Sequence, residues 1–308
     1  MSGVLDVLTG FVGLGLVVVV GYVLARFEVV GPGAAHTLTR IVFYAGVPML
    51  MVTTLEEADL GSVFSAAAVV TIGTAATIAV AFGLLARLSG RTDGSGAVIG
   101  ALSASYVNAG NLGLPILVLV AGTAAPVVPA LMLQLLVMVP VSFALLDRTT
   151  GRSGPGIRAI LSPITSPPVL GVVAGLVLAL TGARLPEPVA MPVGMLADMT
   201  VPALLIAFGL SIRGGTEPGD RAPTSIVWSA VVVKTVVAPA LALGLGELFG
   251  LRGDLLLGVV AVAALPTAQN VFVYAMRYQV HVDLARRAVL YSSALCVPVI
   301  VLAAGVIR

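Results

Sequence analysis

Asn108-Ala109-Gly110-Asn111-Leu112-Gly113-Leu114-Pro115 stands in the middle of an apolar run that extends from Gly96 to Gly122. A membrane helix there would be continuous, yet its centre carries two amides, two glycines and a proline. Pro115 has no N–H and its ring crowds the carbonyl four residues back. The sequence therefore predicts a break at Pro115 and an Asn111 carbonyl without its helical partner. In hydrocarbon an unpaired carbonyl is costly, so such a break survives only inside protein or beside a polar cavity. A second apolar run, 255–276, is interrupted in the same way at Leu265-Pro266-Thr267-Ala268-Gln269-Asn270. Interrupted helices in matching places of two halves point to a transporter's binding site.

Composition agrees with a membrane setting. The 308 residues have a mean hydropathy of +1.12, 59% are hydrophobic and only 10% charged. A soluble domain carries about 25% charged residues. The expectation is an all-α polytopic membrane protein. The net charge of +2 carries little weight, and nothing resembles a nucleic-acid-binding surface. Cys296 is the sole cysteine, which excludes an internal disulfide and a thiolate metal cluster; it is expected to pack within the last apolar run. The first apolar run lacks a basic leading segment and a small-residue cleavage site, so it reads as a retained helix.

Ten apolar runs are long enough, or nearly so, to span about 30 Å of hydrocarbon. They fall at 5–25, 38–55, 63–88, 96–121, 127–146, 164–181, 189–212, 226–249, 255–276 and 288–307. Ten spans put Arg26, Arg40, Arg87, Arg91, Arg148, Arg152, Arg158, Arg213, Arg221, Arg277, Arg286 and Arg287 on one face. Only Arg184, Arg252 and Arg308 fall on the other. Basic residues concentrate in cytoplasmic loops, so both termini are expected outside the cell. The chain divides into a first five-helix repeat, 1–147, a linker, 148–163, and a second repeat, 164–308. Val47-Pro48-Met49-Leu50 in span 2 matches Val201-Pro202-Ala203-Leu204 in span 7, and broken span 4 matches broken span 9. Five spans are an odd number, so the second repeat enters the membrane inverted, and the substrate site is expected where the broken spans cross.

At these breaks the chain resembles the auxin efflux carrier family of membrane transporters, whose members include plant auxin exporters and bacterial carriers of malate and malonate. The likeness rests on Asn108-x-Gly110-x-x-Gly113-x-Pro115 and on Leu265-Pro266-x-Ala268-x-Asn270-x-Phe272-Val273-x-Ala275 with Tyr278. It continues in Val201-Pro202-Ala203-Leu204, Gly209-x-Ser211, Lys234 and Pro239. The resemblance implies a fold shared with NhaA-type antiporters and bile-acid symporters. It implies a scaffold of spans 1, 2, 6 and 7 and a transport domain of spans 3–5 and 8–10, with dimerisation through the scaffold. The long cytoplasmic loop of the canal-forming plant members is missing, which favours a bacterial-type carrier.

The chemistry expected at the crossing is anion binding without a trapping charge. Half-helices that begin after Pro115 and Pro266 would present N-termini worth about half a positive charge each. Asn108, Asn111, Gln269 and Asn270 add amides that donate to an anion or, alternatively, only satisfy freed carbonyls. Pro48 and Pro202 are expected to flank the site or to be ordinary kinks. Ser103, Ser105 and Thr267 are expected to bond to backbone. Lys234 lies roughly 12–15 Å deep in span 8, at 1.5 Å per residue, and Asp198 lies at similar depth in span 7. A charge at that depth faces protein or a cavity. Lys234 is therefore a candidate for the substrate site, for a proton or sodium site, for a pair with Asp198, or for snorkelling to the interface. Asp198 is the candidate coupling acid.

The leading function is a secondary or facilitative carrier that moves a small organic anion across the plasma membrane by elevator-type alternating access. The alternative is a sodium- or proton-coupled symporter or antiporter of the same fold. An enzyme is not expected: no zinc-protease motif is present, His36 and His281 fall in loops, and no acidic pair suits intramembrane proteolysis. Neither cofactor nor metal is expected.

Overall fold

A computed structural model describes residues 2–31, 33–56, 65–121, 126–151, 166–213 and 221–307, with their side chains except those of residues 2–11, 111, 114, 115, 118 and 119. Glu57, Asp59, Arg308 and most of the 148–163 linker lie outside the described residues.

The regular structure is helical. In chain order the helices are α1 (Ser2–Arg26), α2 (Ala34–Glu56), α3 (Ala66–Leu88), α4 (Gly94–Ser105) and α5 (Leu114–Ala121). They continue with α6 (Val127–Thr149), α7 (Pro167–Thr181), α8 (Glu187–Arg213) and α9 (Thr224–Leu248). The last are α10 (Gly253–Ala264), α11 (Gln269–Tyr278) and α12 (Val282–Ile307). Among the described residues six helices, α2, α3, α6, α8, α9 and α12, are long and apolar enough to cross a membrane. The chain is a multi-pass membrane protein on that ground. Helix α12 begins six residues before its expected start. Asp283 makes this favourable: it pairs with Arg286 at 2.8 Å and Arg287 at 3.4 Å, and accepts from the Ala222 N–H at 3.1 Å.

Two kinds of packing organise the helices. Helix α1 runs along α8, and α7 runs along α2, with α2 also against α8. These contacts are backbone-close. A methyl on Gly209 would collide with the Val18 carbonyl, and one on Gly171 with the Pro48 carbonyl. Small residues let membrane helices approach until dispersion does the work that water does elsewhere. The remaining helices pack through larger side chains: α3 on α4, α9 on α10, and α12 on α10 and α11. A ladder of rings fills the space between α2, α4, α6 and α11. Tyr106 meets Tyr274 edge-on at 6.1 Å, Tyr274 meets Phe143 at 5.0 Å, and Phe143 meets Phe43 at 5.8 Å. Arg277 closes the ladder, with its guanidinium 5.4 Å from the Phe43 and Tyr44 ring centres.

The crossing is the centre of the fold. Helix α4 ends at Ser105 and Tyr106 turns extended; helix α10 ends at Ala264 and Leu265 turns extended. The two extended pieces run antiparallel and form a single bridge between Val107 and Thr267. Asn108 donates its N–H to the Pro266 carbonyl at 2.9 Å, and Ala268 donates to the Tyr106 carbonyl at 3.1 Å. Each break thus supplies the partners that the other lost, which is how non-helical backbone persists at membrane depth.

The first break is not where the sequence placed it. It lies at Tyr106–Asn108, and Pro115 is the second residue of α5. Helical winding resumes at Ala109 as a π turn, Ala109–Gly113, in which the Gly113 N–H reaches the Asn108 carbonyl at 3.1 Å. That wider turn ahead of the proline accommodates its missing N–H. The second break is as expected, with Pro266 inside it and α11 starting at Gln269.

Candidate functional site

A cavity of about 380 Å³ lies against the crossing. Its walls come from the crossing itself (Tyr106, Asn108, Ala268, Asn270), from α2 (Leu50, Met51, Thr54), from α6 (Leu131, Gln134) and from α8 (Val201, Leu204). These α2 and α6 residues sit near the helix ends at Glu56 and Val127, so the cavity extends from the crossing toward that side.

Asn108 and Asn270, the amides expected at the site, both line it. Their settings differ. Asn108 is 3% exposed and donates through Nδ2 to Gln269 Oε1 at 2.9 Å, a bond that ties one break to the other. Asn270 is half-buried, one residue into α11. The N-terminus of α11 follows Ala268 and has no side-chain cap, so its first N–H groups remain available toward the cavity that Ala268 and Asn270 line. The dipole of the helix adds positive potential there. Gln269 does not line the cavity and serves Asn108. The side chains of Asn111 and Pro115 lie outside the described ones.

Pro48 and Pro202 do not line the cavity. Pro48 is buried with its carbonyl against Gly171, and Pro202 is exposed on α8. Their neighbours Leu50, Met51, Val201 and Leu204 do the lining, because successive residues of a helix face different directions, about 100° apart.

Lys234 is 1% exposed, which removes the snorkelling reading. It donates to the Ala263 carbonyl in the last turn of α10, while Asp198 is exposed on α8, so the ion-pair alternative is not met. Nor does Lys234 reach the large cavity. It borders a separate space of about 20 Å³ with Thr71, Thr74, Ser105, Val107 and Ala263. This is where α4 and α10 end. Two C-termini bring about half a negative charge each, and a buried amine that donates to one of their carbonyls complements them. Thr71 and Thr74 present hydroxyls without partners to the same side. The crossing therefore divides the polar groups: helix starts and amides face the large cavity, and helix ends with the Lys234 amine face away from it.

The expected backbone roles hold for two hydroxyls. Ser105 donates to the Ala101 carbonyl at 2.6 Å, and Thr267 donates to the Ser103 carbonyl at 2.6 Å. Cys296 is buried within α12. Tyr106 and Gln134 were not singled out by the sequence reading. Gln134 donates to the Val107 carbonyl at 3.0 Å and so supports the first break. Tyr106 is 1% exposed, and its hydroxyl closes no hydrogen bond. A polar residue inside an apolar run was the available signal for Gln134; a tyrosine just before the motif carries none.

The family model for membrane transport proteins matches residues 6–152 and 156–303. Over 289 residues the chain is 27% identical to an uncharacterized transporter of Methanothermobacter thermautotrophicus, an alignment covering 91% of each chain. It is 29% identical over 143 residues to a probable auxin efflux carrier component 1b of Oryza sativa subsp. japonica, covering 46% of this chain and 26% of the rice protein. It is 28% identical over 146 residues to auxin efflux carrier component 2 of Arabidopsis thaliana, covering 47% of this chain and 22% of the plant protein. Against these plant relatives the chain thus spans only about a quarter of their length.

Proposed function

The chain belongs to the membrane transport protein family, that of the auxin efflux carriers, and from that premise we propose that it carries a small organic monoanion across the plasma membrane by alternating access. It is a transporter and not an enzyme. The observation that carries the proposal is the division of charge at the crossing. The uncapped start of α11 and the Asn270 amide face a cavity large enough for a ligand, while Lys234 sits behind, on the helix ends. An anion is stabilised on the first side; on the second, the Lys234 amine already occupies the place a coupling cation would seek. That placement favours the anion carrier over the sodium- or proton-coupled alternative.

The cavity also favours one carboxylate over two. Its volume of about 380 Å³ falls in the usual range for small-molecule sites. Thr54, Tyr106, Asn108, Gln134 and Asn270 are the polar side chains among its described lining, and the rest of the wall is apolar. A monoanion with an apolar body suits such a wall better than malate or malonate, whose second charge would need a second partner.

The proposed frame is ten spans in two inverted repeats of five, with both termini outside. In it α1, α2, α7 and α8 form the scaffold, and α3–α6 with α9–α12 form the moving body. The backbone-close packing within the first group and the position of the cavity between the groups support that division. A homodimer through the scaffold is part of the same proposal. Uptake into proteoliposomes tests the reading: labelled indole-3-acetate and phenylacetate should enter, with malate and malonate weaker, under imposed proton, sodium and voltage gradients. Uptake confined to dicarboxylates, or strictly dependent on sodium, would break it.

A further inference from the structure

We infer that Arg277, with Gln279 and Arg286 beside it, is the gate that shuts the cavity from the side opposite Glu56, and that this gate parts each time the cavity changes sides. The inference rests on the alternating-access reading and deepens it.

At the depth of the crossing the cavity is walled by Leu50 and Thr54 of α2 and by Val201 and Leu204 of α8. Farther along these helices, toward Ala34 on α2 and Arg213 on α8, buried rings replace it. Phe208 of α8 meets Phe272 of α11 edge-on at 5.2 Å, and Phe43 of α2 meets Phe143 of α6 at 5.8 Å. Each pair joins a helix of the proposed scaffold to a helix of the moving body. Together they make a floor between the two parts.

Beyond that floor, three side chains of the moving body reach across the same boundary. The Arg277 guanidinium lies 5.4 Å from the Phe43 ring centre and 5.4 Å from that of Tyr44, both on α2. Gln279 donates through Nε2 to the Met276 carbonyl at 2.7 Å, and the same nitrogen stands 3.2 Å from His36 Nδ1 near the start of α2. A carbonyl only accepts, so the amide presents its NH2 group to both, and His36 Nδ1 is the acceptor. Arg286 is anchored by Asp283 at 2.8 Å and donates to the Ser211 carbonyl of α8, also at 2.8 Å. The contacts of Glu56, at the other end of α2, stay inside the scaffold. They are Arg184 at 3.8 Å and the Leu185 N–H at 3.3 Å, both in the connection from α7 to α8. The boundary is thus stitched at the Arg277 end, and the cavity occupies it toward the Glu56 end.

A contact made in only one of two states biases their equilibrium by its own strength. A cation over two rings holds a state closed and still lets it reopen at modest cost. Arg277 is a positioning residue in this scheme. It acts through α2 on which face of the membrane the cavity meets.

The test follows one thiol from both faces. Asn270→Cys, on the moving body at the cavity wall, is combined with Cys296→Ala, and an impermeant thiol reagent is applied to right-side-out and inside-out vesicles. In this parent the thiol should react faster from the Glu56 face. Arg277→Gln should raise the rate from the Arg277 face by about fivefold to thirtyfold, the loss of the cation–π contact, with no rise from the Glu56 face. Tyr44→Leu should raise it by about twofold to fivefold, since Phe43 remains, and Tyr44→Phe, which keeps a ring, should match the parent. Arg277→Gln with Tyr44→Leu should react as Arg277→Gln alone does, because the shared cation is already gone. Rates in Arg277→Gln that match the parent, that rise equally from both faces, or that multiply in the double variant overturn the assignment. Should Arg277→Gln not fold, Tyr44→Leu against Tyr44→Phe carries the test, and equal rates overturn it. Uptake of labelled phenylacetate and indole-3-acetate by the wild-type chain is measured alongside. A chain that takes up neither removes the anion-carrier reading, and this inference with it; a transporting chain whose variants label unchanged removes the gate alone.

Discussion

The two broken spans meet in one bridge but are broken by different means. The second follows the familiar recipe: Pro266 stands inside the break, and Leu265 before it takes the extended backbone that a following proline favours, φ −53° and ψ 147°. The first has no proline in its break. Tyr106 is extended at φ −81° and ψ 104°, and Pro115 comes seven residues after the end of the gap, at Asn108. The supports differ as well. Thr267 anchors the second break in both directions, with its N–H on Ser292 Oγ at 3.0 Å and its hydroxyl on the Ser103 carbonyl. The first is held by Gln134 on the Val107 carbonyl and by Asn108 on Gln269. Proline alone therefore does not interrupt these helices. What interrupts them is a set of polar partners across the crossing, and proline only lowers the cost where it happens to stand.

The largest expected effect comes from cutting the bond shared by both breaks. Asn108→Leu should destabilise the protein by about 1–3 kcal/mol, because Gln269 Oε1 is left buried and unpaired. Gln269→Leu should cost a similar amount. The double variant should cost less than the sum of the two, with a coupling of about 0.5–3 kcal/mol. Thermal unfolding of the four proteins in detergent checks this; additive losses would mean that the two breaks are held independently.

The prolines sharpen the contrast. Pro266→Ala should destabilise by about 0.4–1 kcal/mol, since the unfolded chain gains freedom and Leu265 loses its constraint. Pro115→Ala, in the first turn of a helix, should change stability by less than about 0.5 kcal/mol. Melting temperatures of the two variants compare them directly, and an equal penalty would restore proline as the common cause.

A further difference concerns the helices that lead into the breaks. Asp93 caps α4, accepting from the Gly96 N–H at 2.7 Å, whereas α10 follows Arg252 and has no side-chain cap. Asp93→Ala should cost about 1 kcal/mol, and Arg252→Asp should gain a few tenths. Burial pushes the Asp93 carboxyl up, but the Gly96 N–H, the Ser95 hydroxyl and His281 outweigh it and hold the group below its ordinary value. A depressed carboxyl contributes stability above its unfolded value and loses it as pH falls through its folded value. The difference between parent and Asp93→Ala should accordingly shrink in acid. A difference that persists when the carboxyl is protonated would assign the effect to packing.

Much of this architecture was legible in the residues. The apolar runs marked the helices, and the amides of Asn108 and Asn270 marked the wall of the cavity, because polar groups at such depth need a purpose. The illegible parts depend on proximity between distant segments. Lys234 announced itself as a buried charge, but its partner is the Ala263 carbonyl, and a backbone carbonyl has no signature in the sequence. The pairing with Asp198 failed because depth along a helix does not specify which way a side chain faces. Pro48 and Pro202 drew attention to the right stretches, yet the cavity is lined by their neighbours within three positions, Leu50, Met51, Val201 and Leu204. Tyr106 was invisible because its place beside the cavity comes from the meeting of two distant segments.

The bridge at the crossing also sets a clock on the birth of the protein. Asn108 and Gln269 are separated by 161 residues of chain. At about 5–20 residues per second, the ribosome delivers the second partner roughly 8–32 s after the first. Helix formation takes well under a millisecond, so the first broken span enters the membrane and settles long before its counterpart exists. Until then the groups around Val107 and Asn108 have no bridge to join, and a provisional arrangement must stand in for it. The crossing is therefore a junction that the nascent chain can complete only late, and its maturation is exposed to anything that slows translation of the second half.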